Sequence, residues 1–211
     1  YLDSPIERIA QASSSTIYSY QNIESAMVAG LELEVSKNLA NIVHRNKDLD
    51  SLELWTENVS LGGNFSYMYS QVTIPQDQSD FLTNTQRPLQ GASPYLVNFN
   101  ASYDLKLGEK DSITDEHKNT ITFTLVYNVF GKRLYAVGVQ KVDDVYETPV
   151  NTLDFVVKSS LGKKLSIGFK ARNLLNPTIQ RESQAINEDR SLVLNSYKRG
   201  VSFSLSLGYK F

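Results

Sequence analysis

Residues 197–211 read YKRGVSFSLSLGYKF, and this stretch decides the fold class. Its apolar residues occupy every second position, and they are Val201, Phe203, Leu205, Leu207, Tyr209 and Phe211. The residues between them are polar or small. A strict period of two predicts a β-strand with one apolar and one polar face. Such a strand fits a membrane-spanning sheet or a soluble sandwich, so the rest of the chain has to distinguish the two.

The composition excludes several classes of protein. The 211 residues carry 21 Lys and Arg against 23 Asp and Glu, so no basic excess is present to bind nucleic acid. The chain has no cysteine, which excludes disulfide frameworks and thiolate metal sites. No run approaches the roughly 18 apolar residues of a membrane-spanning helix. Whole-chain composition does not detect a transmembrane barrel, because only one face of each strand must be apolar.

The same period of two recurs six times upstream. It predicts seven strands in all, at residues 29–36, 59–70, 95–106, 121–129, 152–158, 165–172 and 197–211. Residues 1–28 are predicted to be an external loop region with a short strand at 16–20, and residues 29–211 to hold the barrel strands. The predicted fold is therefore all-β, an antiparallel transmembrane β-barrel segment. Strands of this length are close to the ~9–11 residues that cross a bilayer when tilted.

Two further features favour the membrane barrel over the soluble sandwich. Tyrosines cluster near the strand ends, where an apolar ring with a polar hydroxyl suits the membrane interface. The connections also alternate: long polar ones precede the first strand and follow the second, fourth and sixth, whereas the turns at 108–119 and 159–163 are shorter and charged. Outer-membrane barrels have long external loops and short periplasmic turns. The connection at 37–57 breaks this trend.

Six stretches taken in order resemble the C-terminal part of the barrel of TonB-dependent receptors, particularly those of Bacteroidetes-type bacteria. They are AGLELEVSKNL (29–39), NVSLGGNFSYMYSQV (58–72), QRPLQGASPYLVNFNASYD (86–104), YNVFGKRLYAVG (127–138), KARNLLNP (170–177) and the final fifteen residues. The resemblance implies a 22-stranded barrel closed by an N-terminal plug domain. It also implies import of a ligand, such as a ferric siderophore, cobalamin or a glycan, driven by the TonB complex.

The chain departs from that family pattern by omission, since it contains no plug domain, no TonB-contacting segment and only seven predicted strands. Bacterial single-chain barrels have an even number of strands, and open strand edges are costly in lipid. We therefore expect the C-terminal segment of a larger outer-membrane barrel, with the C-terminus periplasmic and the long loops extracellular. The expected partners are outer-membrane lipid and lipopolysaccharide, the plug domain and TonB complex through the rest of the protein, the barrel-assembly machinery and a surface lipoprotein.

Two alternatives remain open at this stage. One is another outer-membrane barrel, such as a porin-like channel or a surface adhesin. The other is a soluble β-sandwich or lipocalin-like binding module. A plug domain upstream would favour the receptor, and folding in buffer without detergent would favour the soluble module.

The sequence predicts no enzyme, no metal site and no cofactor. His44 and His117 lie in charged connections with only ordinary carboxylates nearby, and no serine lies in a GxSxG elbow. The resemblance assigns the assembly signal read by the barrel-insertion machinery to Phe211, Tyr209 and Leu207.

Two sets of side chains are candidates for binding, and one pair for lipid contact. The predicted polar faces carry charges that would line the lumen or contact the plug, namely Glu32, Glu34, Asp154, Lys158, Lys170 and Arg172. The predicted external loops combine aromatic and charged groups suited to a ligand, and the candidates are Phe81, Arg87, Tyr135, Asp143, Tyr146 and Arg190. Lys198 and Arg199, at the outer end of the last strand, would meet lipopolysaccharide phosphates.

Overall fold

The structure, a computed structural model, describes residues 1–11, 17–40, 56–74, 82–110, 117–139, 142–162, 164–184 and 191–211. These residues form fourteen strands: β1 Leu2–Asp3, β2 Ile6–Gln11, β3 Ile17–Asn22, β4 Ser25–Asn38, β5 Val59–Thr73, β6 Tyr95–Lys110, β7 His117–Phe130, β8 Arg133–Gly138, β9 Asp144–Glu147, β10 Val150–Leu161, β11 Leu165–Arg172, β12 Thr178–Gln184, β13 Ser191–Lys198 and β14 Ser202–Tyr209. The all-β prediction is confirmed. None of the described residues forms a helix that is long and apolar enough to span a membrane.

Eight strands form one antiparallel sheet, which we call the large sheet, in the order β1-β4-β5-β6-β7-β10-β11-β14. Seven of these correspond to the seven predicted strands, and the eighth is the two-residue β1. Each long strand pairs in continuous register with its neighbours; β10, for example, pairs with β7 from Val150↔Phe130 to Leu161↔Asn119. The sheet does not close on itself, because β1 and β14 lie at opposite ends of the order.

The alternation seen in the sequence separates the two faces of the large sheet. Large apolar side chains remain exposed on one face, and they include Leu31, Leu33, Val35, Phe65, Tyr67, Phe99, Phe203, Leu205 and Leu207. The other face carries cross-strand polar contacts, among them Asn98 Nδ2 to Asn64 Oδ1 at 3.3 Å and Thr122 Oγ1 to Asp104 Oδ1 at 2.7 Å. A face of exposed Leu, Val and Phe is the surface that a barrel presents to lipid.

A second sheet of six strands, which we call the cap sheet, corrects part of the sequence prediction. Its order is β13-β12-β9-β8-β2-β3. Except for the short strand predicted at 16–20, which β3 matches, these strands lie mainly in regions predicted as loops, at residues 1–28, 131–149 and 173–196. β8 shows no alternation because Leu134, Ala136 and Val137 are all fully buried. β12 also lacks an alternation of apolar and polar residues, because its sequence TIQRESQ is largely polar.

The cap sheet is built from continuations of the hairpins of the large sheet. β8 and β9 extend β7 and β10, and β12 and β13 extend β11 and β14. The last predicted strand is therefore two strands. They are separated at Gly200, whose φ of 83° is a backbone conformation that glycine adopts readily. The β2–β3 hairpin extends the β1–β4 edge and joins β8 through a short parallel pairing, Ile9↔Val137 and Ala10↔Gly138.

The main apolar core of the described chain lies against one face of the cap sheet. Ile9, Leu134 and Val137 of the sheet pack with Leu82 and Val139, and Ile74 and Tyr146 join them at the periphery. The connection between β5 and β6 supplies Leu82 and continues along the end of β5, where the Val72 N–H donates to the Arg87 carbonyl at 3.4 Å. This connection fixes the cap sheet on the large sheet.

Candidate functional site

A buried ion pair joins the cap sheet to the β5–β6 connection. Arg87 Nη1 and Nη2 donate to Glu7 Oε1 and Oε2 at 2.7 and 2.6 Å, in the two-pronged geometry that guanidinium and carboxylate favour. The side chains are 1% and 0% exposed. Arg87 Nε has no hydrogen-bond partner among the described residues. The pair satisfies two opposite charges that neither segment could bury alone.

Asp144 is the other buried carboxylate on this side of the cap sheet. Its Oδ1 accepts from the Gly138 N–H at 2.8 Å and its Oδ2 from Asn84 Nδ2 at 2.7 Å. Burial raises the pKa of Asp144 above its ordinary value, and the two hydrogen bonds and Arg87 oppose that shift. These contacts attach β8, β9 and the β5–β6 connection to one another.

The opposite face of the cap sheet carries a row of alternating tyrosines and arginines. The row consists of Tyr20, Arg8, Tyr135, Arg181 and Tyr197. Arg8 Cζ lies 5.6 Å from the ring centroid of Tyr20 and 4.6 Å from that of Tyr135. Arg181 Cζ lies 3.8 Å from the Tyr135 centroid and 5.5 Å from the Tyr197 centroid. We call these five residues the arginine–tyrosine row.

The guanidinium groups of the row lie close to aromatic rings and make few hydrogen bonds to the described residues. Arg8 Nη2 donates to Tyr20 Oη at 3.3 Å. Arg181 Nε lies 3.5 Å from Glu147 Oε2 but has no hydrogen-bond partner among the described residues. A guanidinium has five N–H donors, so both arginines keep donors without a partner among the described residues, although Arg181 Nε is itself buried.

Charge around the row is predominantly positive. Glu147 is nearly buried beneath it and accepts from Arg133 Nε at 3.0 Å and from Arg133 Nη2. Tyr18 meets the Tyr135 ring edge-on, with centroids 5.8 Å apart and an interplanar angle of 88°. Burial raises the pKa of Tyr18, so its hydroxyl stays neutral near pH 7.

Arg133 lies between the row and the end of β7. Arg133 Cζ lies 4.7 Å from the ring centroid of Phe130, the last residue of β7. Arg133 also binds Glu147, which lies 3.5 Å from Arg181 of the row. The row is therefore in contact with the strand ends of the large sheet through Arg133.

A comparison with protein families identifies this architecture. The model described as TonB dependent receptor-like, beta-barrel, matches residues 3–174. The chain belongs to the TonB-dependent receptor β-barrel family. This is a family of outer-membrane transporters and receptors, not of enzymes, and its members work with a plug domain and the TonB complex. Among curated proteins and solved structures, none matches the chain significantly.

The receptor places all six predicted lumen-side charges on the strands of its large sheet. Glu32 accepts a hydrogen bond from Asn64 Nδ2, and Glu34 lies opposite Asn64 in the register of β4 and β5. Asp154 Oδ1 accepts from the Asn173 N–H at 2.8 Å, so it holds the turn after β11. The three cations are on β10 and β11, and they are Lys158, Lys170 and Arg172. Glu32 and Glu34 on β4 are therefore separated from the three cations by β5, β6 and β7, whereas Asp154 shares β10 with Lys158.

A groove of about 380 Å³ runs between the basic strands. Lys158 and Lys170 line it together with Thr122, Ser160 and Ser206. It exists because Gly168, which pairs with both Lys158 and Ser206, has no side chain. A Cβ at Gly168 would lie 2.5 Å from Ser206 Oγ.

The six residues predicted to bind a ligand from external loops lie in different environments. Tyr135 is the centre of the arginine–tyrosine row, and Tyr146, on β9, faces Lys132 Nζ, which lies 4.7 Å from the centroid of its ring. Asp143 precedes β9 and is half-buried. Arg87, expected on an open loop, is instead a buried ion-pair partner, because the cap sheet covers it. Phe81 and Arg190 lie outside the described residues.

Sequence reasoning missed most of the row. Arg8 lies in the region predicted as an external loop, whereas Tyr20 and its neighbour Tyr18 lie in the short strand predicted at 16–20, which β3 matches. The signal that could have identified them is local: Tyr18 and Tyr20, two residues apart in IYSYQN, share one face of a strand. Arg181 and Tyr197 lacked such a signal, because their proximity depends on the β12–β13 pairing.

The remaining predicted positions are exposed. Leu207, Tyr209 and Phe211 present their side chains on the apolar face, with the Tyr209 and Phe211 rings edge-on at 5.3 Å. Lys198 ends β13 and Arg199 follows it, and both are exposed. Within the described part of the chain, no group of three or more His, Asp or Glu side chains is placed to hold a metal ion.

Proposed function

We propose that the chain is the C-terminal part of a receptor that imports a ligand across the bacterial outer membrane. The observation that carries this proposal is the family match together with a sheet whose end strands, β1 and β14, have open edges. Unpaired strand edges are costly in lipid, so further strands of a 22-stranded barrel would complete the wall. Residues 29–211 would hold barrel strands, and residues 1–28 would belong to the external region.

The proposed orientation places the cap sheet outside the cell and the β6–β7 and β10–β11 connections in the periplasm. All six strands of the cap sheet lie at the same end of the large sheet. Long extracellular elements and short periplasmic turns are typical of outer-membrane barrels. Exposed Lys198 and Arg199 would then meet lipopolysaccharide phosphates at the outer rim. A surface lipoprotein would complete the ligand-capturing assembly.

The polar face of the large sheet would line the lumen and contact the plug domain. Glu32 and Glu34 give one half of the wall an acidic surface, and Lys158, Lys170 and Arg172 give the other half a basic one. The groove beside Lys158 and Lys170 suits an acidic side chain of the plug. Asp154 is already engaged by Asn173, so it would shape the wall rather than bind the plug.

Import is tested by uptake in the producing bacterium. Cells that lack the receptor and cells that lack a working TonB complex are compared with wild type, using ferric chelates, cobalamin and oligosaccharides as labelled solutes. We expect uptake of at least one solute to be lost in both mutants. Uptake that needs the receptor but continues without TonB would contradict the proposal and indicate a passive channel.

The assembly signal gives a second expected outcome. Phe211→Ala should lower the amount of folded receptor in the outer membrane severalfold, because it removes an exposed ring from the apolar stripe that the barrel-insertion machinery would read. Heat-modifiable mobility of the receptor in outer-membrane fractions measures the folded amount. Lys210→Ala, one residue earlier on the polar face, is the matched control. Equal folded amounts for both variants and wild type would overturn this assignment.

A further inference from the structure

We propose that the arginine–tyrosine row is a binding site for an elongated acidic oligosaccharide. This proposal rests on the proposed function, because it names the class of ligand that the receptor would capture. The row combines guanidinium groups held beside aromatic rings, an exposed tyrosine at one end and a length that crosses the whole cap sheet. Each of these features restricts the chemistry of the ligand.

The length of the row favours an extended ligand over a compact one. Tyr20 lies on β3 and Tyr197 on β13, at opposite ends of the six-stranded order. Neighbouring strands are about 4.8 Å apart, so five steps across the sheet span roughly 24 Å. A compact chelate would cover only part of that distance, whereas a chain of several sugar rings would cover all of it.

The charges of the row favour repeated carboxylates. Arg8 and Arg181 flank the ring of Tyr135 on the same side of the sheet, and Arg133 lies beside them. Glu147 offsets one of these three positive charges. The N–H groups of Arg8 and Arg181 that bond to no described residue are the groups that would bind a ligand. Guanidinium edges bind carboxylates through two parallel hydrogen bonds.

The tyrosines favour a ligand made of rings that bear hydroxyl groups. Tyr20 of the row is exposed, with 65% of its surface accessible. Its neighbour Tyr18, which contacts Tyr135 edge-on, is 40% accessible. An exposed tyrosine presents an apolar face and a hydroxyl that both donates and accepts hydrogen bonds. A sugar ring has the same combination, with an apolar C–H face and a polar rim. Acidic sugar units would thus contact tyrosine faces and arginine edges in turn.

The test is binding of a carboxylated oligosaccharide to the intact receptor in detergent. A hexamer of galacturonic acid is the probe, a neutral galactose hexamer is its control, and isothermal titration calorimetry measures the dissociation constant. We expect the acidic hexamer to bind at least tenfold more tightly than the neutral one. Its affinity should fall as salt increases, because salt screens exposed charges.

Two variants test the row itself. Arg181→Gln and Arg8→Gln should each weaken binding of the acidic hexamer by at least tenfold. Glu182→Gln is the matched control, since alternation places the next residue of β12 on the opposite face, and it should leave the dissociation constant unchanged. Arg8 and Arg181 lie on different strands, β2 and β12, so Arg8→Gln still tests the proposal if Arg181→Gln fails to fold.

The outcomes separate this inference from the proposed function. Equal affinity for the two hexamers, no binding of either, or unchanged affinity in folded Arg8→Gln would overturn the site. Because binding in detergent does not need TonB, tight and row-dependent binding without any import would support the site and contradict the transport proposal. Import of another solute that is unaffected by both variants would contradict the site alone.

Discussion

Replacing Arg87 with methionine is expected to lower the free energy of unfolding by about 3–5 kcal/mol, the range for breaking a buried ion pair from one side. Glu7 is completely buried, and its two carboxylate oxygens accept only from Arg87 among the hydrogen bonds of the described residues. The variant leaves that charge without a partner in the core of the cap sheet. Denaturant unfolding of the receptor in lipid vesicles measures the change. Amide hydrogen exchange should show the loss first in β2 and residues 82–94.

The double variant Glu7→Leu with Arg87→Met distinguishes the loss of the ion pair from the free-energy cost of leaving one buried charge unpaired. Replacing both partners with apolar residues of similar volume is often neutral or stabilising, so most of the lost free energy should return. Arg199→Met is the control for charge removal at an exposed position, where an effect below about 0.5 kcal/mol is expected. A single variant as stable as wild type would show that Glu7 finds another partner.

Leu205→Arg is expected to destabilise the receptor in vesicles by about 2–4 kcal/mol, as expected for a cation on the lipid face near the middle of a bilayer. Leu205 is 78% exposed in the centre of β14, between Phe203 and Leu207 on the same face. An apolar side chain this exposed is favourable only if lipid covers the face that carries it. Unfolding from phospholipid vesicles in denaturant measures the difference.

Ser206→Arg is the matched control for that substitution. Its side chain lies on the polar face, opposite Gly168, and lines the groove beside Lys158 and Lys170. An aqueous lumen tolerates the charge, so the cost should be much smaller than at Leu205. Equal costs at the two positions would contradict the assignment of one face to lipid and the other to water.

The strands of the large sheet were predictable because each separates an apolar from a polar face. Residues such as Leu31 and Leu33 or Phe203 and Leu205 repeat at a period of two over the whole span. The bilayer imposes that period wherever the chain crosses it. The family resemblance then supplied the class of protein, which the alternation alone left open between membrane barrel and soluble sandwich.

The cap sheet was not predictable, because neither of its faces is uniformly apolar or polar. One face packs on the β5–β6 connection and includes the charged pair Glu7–Arg87, whereas the other face carries the arginine–tyrosine row. Arg87 therefore looked like an exposed loop cation, and only the pairing across β2 reveals its buried position. Tyr135 was identified as a candidate from its composition, but its neighbours Arg8 and Arg181 come from distant parts of the chain.

The parallel pairing of β2 with β8 also constrains the order in which the molecule folds. Ile9 and Val137 meet only after β4, β5, β6 and β7, which lie between them in the chain, have been brought together. Closing so long a loop costs chain entropy before the new contacts repay it. The cap sheet is thus a late product of folding, and the surface that carries the arginine–tyrosine row exists only on chains whose membrane strands are already assembled.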